Sequence, residues 1–230
     1  MSMLLIPGFM LDADLWRDVT PGLGEFGPFV HADLFEDGAI KDMASRVLAQ
    51  APETFILVGF SMGGYVAREI VRQAPERVKA LVLIATSARG DTEVQRQRKE
   101  AVANKPDSVS FKGLSTAAVA SSLHPDNAGR QDLIARIQAM GQRLGSDVFR
   151  RQSLLERVDE SHLLADISCP CLILAGEQDK LRSRTEAEEL HEGISGSSLQ
   201  VIEKTGHMIP LEAPDELVTV MRQWLDGLEA

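Results

Sequence analysis

Six short apolar runs rich in Val, Ile, Leu and Phe recur along the chain, at residues 4–6, 30–33, 55–60, 78–85, 170–175 and 199–202. Each is too short for a buried helix and reads as a strand. Helical periodicity falls between most of them, at 40–50, 65–74, 184–192 and 214–228. In the first of these, Ile40, Met43, Val47 and Leu48 share one face. Strands that alternate with helices imply right-handed crossovers and a mainly parallel sheet with helices on both faces. The near-continuous apolar character of the strands agrees, because a sheet covered on both sides has no polar face to present. The expectation is an α/β fold with a six-stranded sheet.

One stretch breaks the alternation. Between residues 85 and 170 no strand is convincing. Segments 89–103, 115–123, 131–144 and 148–158 carry helical patterns, punctuated by Pro106, Pro125 and Gly145. A helical insertion after the fourth strand of an α/β sheet is most simply a cap. The expected organisation is a core of residues 1–87 and 159–230 with a helical cap at 88–158.

Composition narrows the partners. The 230 residues are 44% hydrophobic and 25% charged, ordinary for a globular protein, and carry a formal net charge of −10. That charge argues against nucleic acid and anionic membrane surfaces. It is unevenly spread: residues 89–157 hold 12 Lys/Arg and 8 Asp/Glu, a net +4, against −14 for the remainder. Solvated helix faces account for such a surplus. The sharper alternative is a basic cap facing an anionic ligand or acyl carrier. The two cysteines, Cys169 and Cys171, lie one residue apart on a predicted strand, so they point to opposite faces and are not expected to bridge. The start of the chain lacks the basic flank and long apolar core of a secretory signal, and no run approaches the ~20 apolar residues of a membrane helix. A cytoplasmic setting is expected.

The chemistry concentrates at Gly59-Phe60-Ser61-Met62-Gly63, between the third predicted strand and a helix. Gly-x-Ser-x-Gly in that context is a nucleophile elbow, which exposes the serine hydroxyl above the sheet edge on a turn too tight for side chains at its flanks. A serine hydroxyl needs a base, and the base an orienting acid. His207 suits the base, in the loop Lys204-Thr205-Gly206-His207-Met208 after the last strand. His31, His124, His162 and His191 have weaker contexts. Asp179 suits the acid, in the loop after the strand ended by Gly176; Glu177 is its rival. Two backbone donors are expected for a developing oxyanion: the N–H of Met62, which follows the nucleophile and opens a helix, and that of Phe9 in Pro7-Gly8-Phe9-Met10. Trp16, Phe60, Phe111 and Leu123 are candidate substrate contacts, with Leu114 and Val119 beside them.

With these residues in place the chain resembles the α/β-hydrolase superfamily, in the capped esterase, lactonase and C–C hydrolase group. The resemblance is carried by Pro7-Gly8-Phe9 with Trp16, Asp33-Leu34, Gly59 through Gly64, Pro75-Glu76-Arg77-Val78, Gly176 through Asp179, and Gly206-His207. It implies Ser61, Asp179 and His207 as a catalytic triad, Phe9 and Met62 as oxyanion donors, and no cofactor. The chain departs from the family in having Pro7 where a His is usual, which implies different hydrogen bonding around the oxyanion loop. It also starts at what would be the family's third strand, which implies a shortened sheet. The expected activity is hydrolysis of a small carboxylic ester or lactone through an acyl-enzyme on Ser61. The same triad could serve perhydrolysis or C–C bond hydrolysis, and a hydrolase fold can serve as a ligand sensor. A carrier-linked ester is what a resemblance to pimeloyl-carrier-protein methyl esterases implies.

Overall fold

The computed structural model describes residues 2–103 and 113–228. Six parallel strands form one sheet: β1 (Ser2–Ile6), β2 (Phe29–His31), β3 (Phe55–Phe60), β4 (Val78–Ile84), β5 (Cys171–Gly176) and β6 (Ser198–Ile202), in the order β2-β1-β3-β4-β5-β6. The order reverses between β1 and β3. At such a switch point the loops leaving adjacent strands diverge and open a crevice.

Side chains alternate across the sheet and build two cores. Met3 and Leu5 of β1, with Ile56, Val58 and Phe60 of β3, face one cluster. Leu4, Ile6, Phe55 and Leu57 face the other. The second cluster is closed by α1 (Ile40–Gln50), α2 (Met62–Gln73) and α6 (Arg184–Gly193), through residues such as Met43, Val66 and Leu190. The first is closed by α8 (Pro214–Asp226), through Leu217 and Met221, and by helices of the long excursion after β4. Burial on both faces explains why these strands read as unbroken apolar runs.

Between β4 and β5 the described residues form helices joined by short irregular segments and no strand. Among these helices are α3 (Glu93–Ala103), α4 (Thr116–Ser122) and α5 (Gln131–Ser153). The two helices expected at 131–144 and 148–158 run on as α5, with a break at Gly145 (φ +79°). The helix stops at Ser153, and residues 155–160 are not helical. Expected Phe111 lies outside the described residues. A final one-turn helix, α7 (Ile209–Glu212), precedes α8. Cys169 and Cys171 are free thiols, Cys171 buried with its pKa raised by desolvation. Among the described residues no helix is long and apolar enough to cross a membrane.

The tightest packing is at the β3–α2 turn. A Cβ on Gly59 would sit 2.7 Å from the Gly63 carbonyl oxygen and 2.9 Å from the Gly64 Cα. A Cβ on Gly63 would sit 2.5 Å from the Pro7 carbonyl oxygen and 2.6 Å from that of Ile6. The first contact seats α2 on its own strand, and the second seats it on the end of β1. These obstacles are backbone and cannot rotate away, so Gly59→Ala is expected to lose about 1–3 kcal/mol of stability in denaturant unfolding. Gly129→Ala, which meets nothing within 4 Å, should stay within about 0.5 kcal/mol of the parent.

Candidate active site

Every loop that matters leaves the C-terminal edge of the sheet. Ser61 sits between β3 and α2 at φ 53°, ψ −113°, in neither helical nor extended geometry. Its backbone is held on both sides. The Ser61 N–H donates to the Ile84 carbonyl (2.9 Å), and the Ser61 carbonyl accepts from the Thr86 hydroxyl (2.7 Å) and the Gly64 N–H (3.0 Å). A strained residue persists only where its surroundings over-determine it, as here. The hydroxyl points into a cavity of about 540 Å³, ample for a small acyl group.

His207 reaches the same cavity from the loop between β6 and α7. Its Nε2 lies 2.9 Å from Ser61 Oγ, and its Nδ1 lies 2.7 Å from Asp179 Oδ2. A carboxylate only accepts, so Nδ1 carries the proton and Nε2 presents its lone pair to the hydroxyl. The imidazole packs against the Phe60 ring, with centroids 5.2 Å apart. The Asp179 carboxylate is fully enclosed. Its Oδ1 accepts from the backbone N–H groups of Leu181 (2.7 Å) and Arg182 (2.9 Å), which leaves Oδ2 for the imidazole. Glu177 does not approach His207. Its carboxylate accepts from the Lys204 N–H (2.9 Å) and steadies a residue with φ +53° in the histidine loop.

The loop after β1 closes the other side. A Cβ on Gly8 would lie 3.2 Å from the Ser61 Cβ, so the chain runs directly past Ser61. Phe9 and Met62 both line the cavity, and their N–H groups donate to no acceptor among the described residues. Met62 N opens the 12-residue helix α2, whose dipole favours negative charge at that point. Together these groups present an aimed hydroxyl, a base with a fixed tautomer, and free donors beside them: the parts that acyl transfer requires. Among the described residues no group of three or more His, Cys, Asp or Glu side chains is placed to hold a metal ion.

Comparison with known proteins shows the family. The family model described as "Alpha/beta hydrolase family" matches residues 3–220. The chain belongs to the alpha/beta hydrolase family. Its class as a hydrolase follows from that membership. It is 27% identical to the pimeloyl-[acyl-carrier protein] methyl ester esterase of Neisseria meningitidis serogroup C, over 97% of this chain and 93% of that protein. It is 28% identical to the enzyme of the same name from Pectobacterium carotovorum, over 93% and 90%. Among solved structures it resembles a malate-bound thermophilic esterase from Thermogutta terrifontis, with TM-score 0.88, 26% identity, and coverage of 100% of this chain and 91% of that one. An enol-lactonase from Burkholderia xenovorans shares the fold, with TM-score 0.81 and 16% identity over 98% and 92% of the two chains.

Of the expected substrate contacts, Phe60, Leu114 and Val119 line the cavity of this hydrolase. Trp16 does not. The short turn Ala13–Trp16, capped by the Asp12 carboxylate, directs it fully into the core with Leu5, Val58 and the apolar face of α8. Leu123 is likewise core, buried just past the end of α4. The sequence reading missed three polar supports. Thr86 holds the Ser61 carbonyl. Gln152, buried on α5, accepts from the Met10 N–H (2.8 Å) and donates to the Leu34 carbonyl (3.3 Å). Glu212 is a hub. One carboxylate oxygen accepts from Gly206 N–H (2.9 Å) and Met208 N–H (3.2 Å), on either side of His207. The other accepts from His124 N–H (2.7 Å) and Asn127 Nδ2 (3.0 Å) at the end of α4. The Ser122 carbonyl completes the clasp by accepting the His207 N–H (2.7 Å).

The two carboxylates after β5 make a direct comparison. Asp179→Asn should lower kcat on an activated ester by about 10³–10⁴-fold, because an amide in that place favours the wrong imidazole tautomer. Glu177→Gln, which keeps an acceptor for Lys204, should leave kcat within about threefold on the same assay. Equal losses from both would remove the distinction drawn here.

Proposed function

We propose that the protein is a carboxylic ester hydrolase acting on a small ester or lactone through an acyl-enzyme on Ser61. The observation that carries this reading is the continuous chain from Ser61 Oγ through His207 to Asp179 at the floor of a largely apolar cavity. His207 takes the hydroxyl proton as Ser61 attacks the carbonyl carbon. The tetrahedral oxyanion rests on the N–H groups of Phe9 and Met62. His207 then protonates the departing alcohol. Water, deprotonated by the same imidazole, releases the acid and restores the hydroxyl. Asp179 stays ionised throughout and holds the ring. Residues 88–158 act as the cap that shapes the acyl site, with Leu114, Val119 and Ile137 contributing apolar wall.

Among the described residues, the Lys and Arg side chains that line the cavity have no Asp or Glu beside them in its wall. Arg98, Lys99, Arg157 and Arg182 reach it from the cap and from the loop after β5. Three are engaged: Lys99 and Arg157 with Asp91, and Arg182 with Glu186. Arg98 is exposed and makes no hydrogen bond or ion pair among the described residues. Among the described residues Arg96 nearby is paired only with acceptors on its own segment, at Glu93 and the Asp91 carbonyl. With two relatives named for esters on an acyl-carrier protein, this favours an acyl group delivered on an anionic carrier that docks at Arg96 and Arg98. Arg150 and Arg151 are less suited to that task, because they hold the carbonyls of Val102 and Phe35. The unbridged cysteines suit a reducing, cytoplasmic setting.

A p-nitrophenyl ester series graded by acyl length, run beside a carrier-linked methyl ester, tests both levels. Ser61→Ala should lose about 10⁴–10⁶-fold in kcat on every ester, and full retention would overturn the acyl-enzyme. Arg96→Glu with Arg98→Glu should raise KM for the carrier-linked ester about tenfold or more relative to the p-nitrophenyl ester, and less so in high salt. An unchanged ratio would remove the carrier.

A further inference from the structure

The cap touches the catalytic apparatus at a point where a lid has no need to. Helix α5 lies along the loop that follows β1. Near its start, Arg136 bonds the Asp14 carbonyl and the Asp18 carboxylate, and Arg143 pairs with Asp12. Near its end the contact becomes buried. The Phe149 ring meets Phe9 edge-on, with centroids 5.8 Å apart. One turn further, on the same face of the helix, the Gln152 side chain turns inward and is buried at the wall of the cavity that Ser61 lines. Its Oε1 accepts the Met10 N–H at 2.8 Å, and its Nε2 donates to the Leu34 carbonyl at 3.3 Å.

Met10 is the residue after Phe9. It is fully buried and adopts φ +54°, a conformation an unbranched L-residue takes only when held there. Its N–H has Gln152 as its acceptor. Leu11 N–H closes the same turn on the Gly8 carbonyl (3.3 Å). The direction of the Phe9 N–H is therefore fixed between the Gly8 turn on one side and the Gln152 acceptor on the other. Pro7 has no N–H and no polar side chain with which to brace the loop from beneath. The brace comes from the cap, 142 residues further along the chain.

We propose that Gln152 is a positioning residue for the oxyanion loop, holding Met10 so that the Phe9 N–H converges with the Met62 N–H on the developing charge. The proposal rests on the acyl-enzyme reading. Gln152 does not touch the reacting atoms in it. Both of its polar ends are occupied by backbone, and it acts through Met10. The cap then does two things through one helix: it supplies cavity wall from Ile137, and it sets the electrostatic site.

Gln152→Leu and Gln152→Glu separate this role from packing. Leu keeps the bulk and removes both hydrogen bonds. Glu keeps an acceptor for Met10 N–H. The readouts are kcat and KM on a p-nitrophenyl ester, inhibition by an alkyl trifluoromethyl ketone, and affinity for the product carboxylate. The ketone carbon accepts Ser61 Oγ and leaves a hemiketal oxygen where the oxyanion would sit. Gln152→Leu is expected to lower kcat about 10–100-fold with KM within about threefold, as a shifted donor should. The ketone should weaken by the same factor as kcat/KM, with product affinity unchanged. Gln152→Glu should recover most of the loss. Gln152→Asn, one methylene short of Met10, carries the same criteria if the Leu variant does not fold. A folded Leu or Asn variant with kcat within twofold of the parent overturns the proposal. So does a loss shared equally by ketone and product and unrelieved by Glu, which marks packing alone. Activity surviving in Ser61→Ala would instead remove the acyl-enzyme reading, whatever Gln152 does.

Discussion

The constraint on which the rest depends is the absence of space between β3 and α2. Strand and helix meet so closely at Gly59 and Gly63 that backbone atoms occupy the places of the missing Cβ atoms. That contact forces Ser61 into a conformation outside the ordinary regions and raises its hydroxyl above the sheet edge. It also brings the end of β1 against the first turn of α2, since the carbonyls of Ile6 and Pro7 crowd Gly63. Ser61 and the loop carrying Phe9 are thus neighbours for one steric reason. A looser elbow would lose both relations together. The strain is tolerable because the serine's backbone N–H and carbonyl are both bonded, to Ile84 and to Thr86.

Elsewhere the site is held by carboxylates that accept backbone N–H groups from neighbouring loops. Asp179 takes two from its own turn, Glu177 takes one from Lys204, and Glu212 takes one from each side of His207 and one from His124. Such charge-assisted bonds are short and directional. They order loops that have little apolar surface of their own to bury. The surface ion pairs are of another kind. Pairs such as Arg184 with Glu188 lie in water and add little. What the acidic residues around the site share is a backbone N–H partner on the histidine loop or on their own turn, not burial, since Glu177 is exposed while the Asp179 carboxylate is enclosed.

Much of the fold was legible because a sheet covered on both faces leaves a coarse signal. Runs such as 55–60 and 170–175 are apolar throughout and sit between turn residues, and they recur as β3 and, shifted by one residue, β5. The elbow was legible for a related reason: its steric demand can be met only by glycine, and glycine is visible. Trp16 was misread because an aromatic near a loop looks the same whether it faces a cavity or a core. The turn capped by Asp12 is local, but the cluster that receives the ring is assembled from β1, β3 and α8 and is a tertiary matter. The end of α5 was misplaced because helical periodicity persists past Ser153 while the chain has already turned to meet Asp91 at Arg157. Gln152 and Glu212 were invisible for a deeper reason. A lone glutamine or glutamate on an amphipathic helix is ordinary, and what sets these two apart is a partner 142 or 88 positions away.

Those two residues change how the excursion between β4 and β5 is understood. Were it only a cover, its contacts with the core would be apolar and interchangeable, and its sequence could drift with the substrate. Instead two of its segments end in directional bonds to two different loops of the proposed mechanism. Ser122 meets the loop of His207, His124 meets the Glu212 carboxylate that holds the same loop, and Gln152 meets the loop of Phe9. Hydrogen bonds of this sort tolerate little displacement, since an orphaned buried amide costs about 1–3 kcal/mol. The cavity wall supplied by Leu114, Val119 and Ile137 therefore cannot move far as a body without disturbing the groups beneath it. In the proposed acyl transfer, acyl preference changes by exchange of side chains on a fixed frame, or by motion in parts of the excursion that carry no such bond. The elbow decides where the hydroxyl points, and the bonds from the excursion decide how closely the other groups converge on it.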